Sequence, residues 1–265
     1  MSVPRWAVSA AATLLLLAAA FGESSQAALG CAAPQEVTRF KFKLPHTARA
    51  VRSGKALVIV AIGSSSTRGV GASDPAHTYP ALLAEELGHR WPWLPVTVIN
   101  KGVSGEIATQ MLARFDRDVL PYHPQLVIWQ TGSNQVLRSG DIEGYAATIR
   151  EGISRLKTAQ FDVVLMDPQV APRVLARPMH LPIVDTISAV ANDMKVAVFQ
   201  RFAVMRHWLR SGQYKIEDII SSDGLHMNDV SYACIAHLLA NSLAAATEPE
   251  AYGWQRGGPA RDTSR

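Results

Sequence analysis

Short hydrophobic runs alternate with longer segments of helical periodicity along most of the chain. Each run is four to six residues long, nearly continuous in hydrophobicity and rich in β-branched side chains. Such runs are typical of strands that are buried on both faces, as in a parallel sheet. The predicted strands cover residues 57–62, 96–99, 126–130, 163–166 and 196–199.

The segments between these runs predict helices. Apolar side chains recur every three or four residues between Ile142 and Leu156, and Asp141 precedes them as an N-cap. Weaker helical patterns occur at residues 79–87, 107–117, 181–194 and 229–246. Alternation of strands and helices predicts right-handed crossovers. We therefore expect one α/β domain, a three-layer α/β/α sandwich with a parallel sheet of about five strands.

The two ends of the chain differ from this domain, which we place at residues 56–247. Residues 28–55 contain Pro34 and Pro45 and predict an irregular lead-in. Residues 248–265 are rich in Gly, Pro, Arg and Ser, a composition that predicts a disordered tail.

The first 27 residues have the pattern of a secretory signal peptide. Arg5 is followed by an apolar stretch at residues 6–21 and then by small residues, including Ala27. The pattern predicts export to the periplasm or the medium, with no stable membrane insertion after cleavage. Two alternatives stay open, an uncleaved anchor and a lipid on Cys31. Beyond this stretch the sequence predicts no membrane-spanning segment.

Composition excludes few classes of protein but narrows the choice. The 265 residues are 48% hydrophobic and 18% charged, which is typical of a globular domain. The net charge is +4, and the basic residues are scattered, so we expect no nucleic-acid partner. Cys31 and Cys234 are able to pair in an oxidising compartment, although the apolar helical surroundings of Cys234 favour a buried thiol. Neither cysteine has the spacing of a metal site.

Polar, glycine-containing turns follow the first three predicted strands, at residues 63–69, 100–105 and 131–134. In an open parallel sheet, ligands bind beyond the carboxyl ends of the strands. A fourth polar segment lies before the last helix, where Asp223 stands three residues before His226. A serine hydroxyl needs an imidazole to accept its proton and a carboxylate to orient that imidazole. These four segments therefore predict a site for nucleophilic catalysis.

Together the four segments resemble the SGNH (GDSL-type) hydrolase family, over roughly residues 56–246. The first block of the family, G-D-S-x-T-x-G, matches Gly63-Ser64-Ser65-Ser66-Thr67-Arg68-Gly69. The resemblance implies a flavodoxin-like fold, no metal and no organic cofactor. It places the nucleophile at Ser65, its partners at Asp223 and His226, and the oxyanion hole at Ser65, Gly102 and Asn134. The chain departs from the family pattern at Ser64 and Gln135, where the family has Asp.

The resemblance implies hydrolysis of a carboxylic ester through an acyl-enzyme, with a small molecule or a glycan ester as substrate. We expect an O-acetyl or short-acyl ester, with an envelope glycan as the first choice. Three alternatives stay open. They are a lysophospholipase or thioesterase acting on lipids, an O-acyltransferase with the same triad, and a non-catalytic glycan-binding protein.

Overall fold

The computed structural model describes residues 30–138 and 141–247, and its centre is a five-stranded parallel sheet. The strand order is β2-β1-β3-β4-β5. The chain therefore goes from β1 to the edge strand β2, crosses to β3 on the other side of β1, and continues through β4 to the opposite edge at β5. The strands are β1 (Leu57–Gly63), β2 (Val96–Gly102), β3 (Leu126–Gln130), β4 (Asp162–Met166) and β5 (Ala197–Phe199).

Helices cover both faces of this sheet, as the alternating pattern predicts. They are α1 (Gln35–Thr38), α2 (Pro45–Ser53), α3 (Ser65–Arg68), α4 (Tyr79–Arg90), α5 (Ala108–Leu112), α6 (Phe115–Asp118), α7 (Ser133–Leu137), α8 (Ile142–Thr158), α9 (Pro172–Leu175), α10 (His180–Met194), α11 (Arg201–Arg210), α12 (Ile216–Ile219) and α13 (Asp229–Thr247). Two short 3₁₀ turns cover Pro75–His77 and Leu120–Tyr122.

The predicted α/β sandwich and its five strands are confirmed. Every residue of β3 and β4 is buried, which explains why these strands read as continuous apolar runs. Strand β2 extends three residues beyond its apolar run, because Asn100, Lys101 and Gly102 continue the ladder with β1. All five strands are parallel, so their carboxyl ends meet at one edge of the sheet.

Helix α8 begins at Ile142, where the sequence predicts it. The carboxylate of Asp141 accepts hydrogen bonds from the backbone N–H groups of Glu143 and Gly144. The helix predicted at residues 107–117 is instead two short helices, α5 and α6. The helix is interrupted at Arg114, whose backbone is not helical. The Arg114 guanidinium points inward and donates to backbone carbonyls at the ends of β1 and β2.

The expectation of an irregular lead-in is wrong for the described part of residues 28–55, because α1 and α2 lie there. Pro45 is the first residue of α2, a position at which proline favours a helix instead of breaking it. The backbone N–H and the hydroxyl of Thr47 donate to the buried Asp162 carboxylate, which docks α2 onto β4. The predicted signal peptide at 1–27 and the predicted tail at 248–265 lie outside the described residues.

A disulfide joins Cys31 to Cys234. Cys234 is fully buried in α13, as the apolar pattern indicates, but the favoured interpretation of a buried thiol is wrong. With its sulfur in this bond, Cys31 has no thiol to carry a lipid. The two cysteines are 203 residues apart, so no local pattern connects them.

Helix α13 is long and apolar enough to cross a membrane by length and composition, which the sequence analysis did not predict. Most of its residues are buried inside the protein, and it packs against α4 and α2. We therefore interpret α13 as a core helix.

Candidate active site

The first polar turn presents one of its three serines at the surface. Strand β1 ends at Gly63, and α3 begins two residues later at Ser65. Ser64 and Ser66 are 2% and 1% exposed, whereas Ser65 is partly exposed. The Ser64 hydroxyl donates to Gln130 Oε1 at 3.1 Å, and that of Ser66 to Gln169 Oε1 at 3.4 Å. Ser65 is thus the serine of this run that an incoming ligand can reach.

Gln130, the last residue of β3, anchors this turn. Its Oε1 atom accepts from the Ser64 backbone N–H at 2.9 Å, from the Ser64 hydroxyl and from the Thr67 hydroxyl at 3.1 Å. An ionised Asp at position 64 would have no proton to donate to this oxygen. The departure from the G-D-S sequence is therefore matched by its surroundings, since a serine donates where Gln130 accepts.

The loop before α13 brings Asp223 and His226 to Ser65. An antiparallel bridge between Ile220 and Met227 closes the loop. Backbone N–H groups next to the bridge donate to carbonyls on the opposite side of the loop. His226 Nε2 lies 2.8 Å from Ser65 Oγ, and His226 Nδ1 contacts Asp223 Oδ2. The three side chains thus form a continuous serine–imidazole–carboxylate chain, although Ser65 and His226 are 161 residues apart.

Asp223 stays ionised over a wide pH range. Burial acts to raise its pKa, but several hydrogen bonds to the carboxylate outweigh that effect and place the pKa well below its usual value. The donors are the backbone N–H groups of Leu225 and His226, the His226 ring and the Ser221 hydroxyl. A carboxylate held in this way fixes the orientation of the His226 ring.

A second D-x-x-H segment, Asp74-Pro75-Ala76-His77, has the same spacing and also brings its carboxylate into contact with its imidazole. His77 Nδ1 lies 2.9 Å from Asp74 Oδ2 and 3.1 Å from Ser73 Oγ. Both side chains are about half exposed, and the Ser73 hydroxyl contacts the same ring nitrogen that faces the carboxylate. Among residues 30–138 and 141–247, no serine is bonded to the opposite ring nitrogen of His77, so the segment lacks the geometry of the Ser65 site.

The backbone N–H of Gly102 is occupied. It donates to Asn100 Oδ1 at 2.9 Å, so in this structure it does not point a free N–H at an oxyanion, the role that the resemblance implies for Gly102. A Cβ at position 102 would lie 2.1 Å from the backbone nitrogen of Arg68. Gly102 is therefore needed for the close approach of β2 to helix α3.

Gly105 and Asn134 lie side by side at the same edge. Asn134 Nδ2 donates to the carbonyl of Glu106 at 2.9 Å, and Arg138 Nη2 donates to the carbonyl of Gly105 at 2.7 Å. Gly105 has a positive φ of 83°. Within the described residues its N–H has no hydrogen-bond partner. Sequence reasoning missed Gly105 although it ends the same 100–105 turn.

The buried guanidinium of Arg114 binds both the ends of β1 and β2 and the loop that carries Gly105. It donates to the carbonyls of Gly63 at 3.2 Å and Lys101 at 2.8 Å, and it pairs with the Glu106 carboxylate at 2.7 Å. Arg114 thereby ties the ends of β1 and β2 to the loop that carries Gly105.

Residues 30–138 and 141–247 contain no group of three or more His, Cys, Asp or Glu side chains arranged to hold a metal ion. The absence of a metal and of an organic cofactor stays a prediction from the sequence.

The model of the Non-GDSL lipase-like family matches residues 30–249. The chain therefore belongs to this family, and the resemblance to SGNH (GDSL-type) hydrolases is confirmed. The term Non-GDSL in the family's name is consistent with the first block of this chain, in which Ser64 stands in place of the Asp of G-D-S.

Two curated relatives are esterases by name. An acetylxylan esterase of Geobacillus stearothermophilus is 30% identical over 100 residues, which cover 34% of this chain and 46% of that protein. An arylesterase of Vibrio mimicus is 26% identical over 166 residues, covering 63% of this chain and 78% of that protein. The chain thus spans less than half the length of the acetylxylan esterase and over three quarters of the arylesterase.

Solved structures share the fold at low identity. A two-domain esterase active on acetylated mannans is 21% identical with a TM-score of 0.68, covering 80% of this chain and 58% of that one. TesA is 20% identical with a TM-score of 0.61, covering 71% and 99%. The acetylxylan esterase Axe2 of Geobacillus stearothermophilus is 20% identical with a TM-score of 0.61, covering 72% and 95%. At this identity the likeness establishes the fold alone.

Proposed function

We propose that the protein is a serine esterase that cleaves carboxylic esters through an acyl-enzyme. The observation that carries the proposal is the contact of Ser65 Oγ with His226 Nε2 at 2.8 Å, with Asp223 on the other ring nitrogen. A partly exposed serine in this contact has the general base that it needs to become a nucleophile.

The steps follow from this geometry. Ser65 Oγ attacks the ester carbonyl carbon while its proton passes to His226 Nε2, and Asp223 stabilises the resulting imidazolium. His226 then returns the proton to the leaving alcohol oxygen, and the acyl group stays on Ser65. A water molecule attacks this second ester, His226 accepts its proton, and the carboxylic acid leaves as Ser65 regains its hydrogen.

The negative charge on the carbonyl oxygen needs hydrogen-bond donors in both steps. We assign them to the N–H of Ser65 and to the Asn134 amide, as the sequence predicts, and to Gly105 in place of Gly102. The Asn134 amide nitrogen carries two hydrogens, so it is able to bond the Glu106 carbonyl and the oxyanion at once. Gly105 is favoured because its N–H is unoccupied and Asn134 reaches the adjacent peptide.

The proposed substrate is an O-acetyl or short-acyl ester on a glycan. The names of two relatives support it, an acetylxylan esterase and an esterase active on acetylated mannans. We also propose that the enzyme is exported. The signal-peptide pattern and the Cys31–Cys234 disulfide both support export, since disulfides persist in oxidising compartments.

The test is hydrolysis of p-nitrophenyl acetate, butyrate and octanoate and of acetylated xylan and mannan, by wild type and by Ser65→Ala. We expect wild-type turnover that falls with acyl length and is lost in Ser65→Ala. Ser222→Ala is the matched control, because Ser222 is an exposed serine of the Asp223 loop, and it should keep wild-type turnover. A folded wild type that hydrolyses none of these esters would overturn the proposal, as would unchanged turnover in Ser65→Ala.

A further inference from the structure

One buried side chain contacts all three segments that carry the proposed catalytic groups. Gln169, which follows β4, accepts at Oε1 from the Ser133 hydroxyl at 2.7 Å and from the Ser66 hydroxyl at 3.4 Å. Its Nε2 donates to the carbonyl of Leu225 at 2.9 Å. Ser66 follows Ser65, Ser133 precedes Asn134, and Leu225 precedes His226.

The orientation of this carboxamide is fixed by its fourth partner. Arg201 Nη2 donates to Gln169 Oε1 at 3.1 Å, and Arg201 Nε donates to the carbonyl of Asp167 at 2.9 Å. A guanidinium has donors and no acceptor, so the oxygen of Gln169 must face Arg201. The amide nitrogen then faces Leu225, where a carbonyl is available to accept.

Burial makes these bonds costly to lose. Gln169 is 1% exposed, Arg201 0%, Ser66 1% and Ser133 4%, so water cannot replace a missing partner. A buried polar group that loses its partner bears the full cost of its desolvation. The same carboxamide therefore holds the three segments in fixed positions relative to one another.

We propose that Gln169 is a positioning residue that sets the placement of Ser65, Asn134 and His226 relative to one another. This inference rests on the proposed function. Acyl transfer depends on the Ser65–His226 contact and on donors aimed at the oxyanion, and a misplacement of about 1 Å costs about 100-fold in rate. Gln169 touches none of the reacting groups, so it acts through their neighbours, the hydroxyls of Ser66 and Ser133 and the backbone carbonyl of Leu225.

The test compares Gln169→Met with Gln125→Met. Gln125 is the control at a distance from the site, because its partly buried carboxamide ties β1 to the segment before β3, accepting from the Val58 N–H at 2.8 Å and donating to the His123 carbonyl at 3.2 Å. It does so at the amino ends of β1 and β3, the opposite edge of the sheet. We expect Gln169→Met to lower kcat on p-nitrophenyl acetate by roughly 10- to 100-fold with KM changed less than about twofold. Gln125→Met should keep kcat within about twofold.

Gln169→Glu tests the oxygen and the nitrogen of the carboxamide separately. It also replaces Gln169→Met in the comparison if that variant does not fold. Beside the Arg201 guanidinium the new side chain is expected to be a carboxylate, which keeps an oxygen for Ser66, Ser133 and Arg201 but has no donor for Leu225. We expect its kcat to be lowered, because the His226 loop is released. Its nuclear magnetic resonance spectrum should also show a weakened or shifted far-downfield signal from the proton between His226 and Asp223.

A kcat within about twofold of wild type in both folded Gln169 variants would overturn the inference, and so would an equal loss in Gln125→Met. The proton signal does not depend on turnover. If wild type hydrolyses no ester, the proposed function fails, while an unchanged signal in Gln169→Met and Gln169→Glu would separately refute the positioning role.

Discussion

Removing the Cys31–Cys234 disulfide is expected to lower the free energy of unfolding substantially, because the bond closes nearly the whole domain into one loop. The cysteines are separated by 203 residues, a span that includes all five strands and Ser65, Asp223 and His226. In the chain-entropy model a loop of this length removes about 18 cal/mol/K from the unfolded state, or about 5 kcal/mol at 25 °C. Measured effects of single disulfides are typically about 2–4 kcal/mol. We therefore predict a loss of about 2–5 kcal/mol.

The fold and the site should survive this change under native conditions. Other contacts keep the N-terminal segment in place, including the bond from Trp208 Nε1 to the Ala32 carbonyl at 3.1 Å and the bonds from Thr47 to Asp162. Catalysis at 25 °C should therefore be unchanged, which separates an effect on stability from an effect on the active site.

The assay is urea unfolding followed by tryptophan fluorescence, since Trp91, Trp129 and Trp208 are buried in the fold. Oxidised protein, protein reduced with a phosphine and the double variant Cys31→Ala/Cys234→Ala are compared. Alanine is preferred to serine because both positions are buried and a hydroxyl would need a partner. A thiol assay on the denatured, unreduced protein should find no free thiol. Two free thiols, or a stability difference below about 1 kcal/mol, would refute the reasoning.

Two further predictions concern charge and catalysis. Burial raises the pKa of Asp167 to about 7. Between about pH 4 and pH 7 the folded state therefore keeps a proton on Asp167 that the unfolded state has released. The free energy of unfolding should fall as the pH rises through this range. Asp167→Asn should reduce this slope in urea titrations at pH 4.5, 6 and 7.5, and an identical slope would contradict the assignment. Asn134→Ala should lower kcat by about 100- to 1000-fold while leaving the fold intact, with Gln135→Ala as the neighbouring control, and turnover within twofold of wild type would remove Asn134 from the oxyanion hole.

The sheet was predictable because its strands are buried on both faces. Strand β3 was predicted at residues 126–130 and lies at Leu126–Gln130, since burial alone determines its apolar pattern. The break between α5 and α6 was not predictable. It depends on Arg114 reaching the carbonyls of Gly63 and Lys101, which belong to strands distant in sequence.

The arrangement of the proposed site can be divided in the same way. Contacts among Ser65, Asp223 and His226 were predictable, because each residue lies in a polar segment of the family pattern, and the three side chains do meet. Their catalytic roles stay a proposal. Spacing alone was insufficient, since Asp74 and His77 have the same D-x-x-H spacing without contacting Ser65.

Other parts of the site depend on contacts that local sequence does not encode. The choice between Gly102 and Gly105 depends on where the Asn100 side chain points. The role of Gln169 depends on three segments that meet only in the folded chain, and no motif marks it.

The most direct test of the account is to trap the nucleophile. Wild-type protein is treated with a fluorophosphonate, which reacts with activated serines, and the modified residue is located by peptide mapping with fragmentation through Ser64-Ser65-Ser66. We predict one adduct per chain, on Ser65, which is absent from Ser65→Ala and strongly reduced in His226→Ala. An adduct on Ser64 or Ser66, or no adduct on folded wild type, would contradict the central claim that Ser65 is the activated nucleophile.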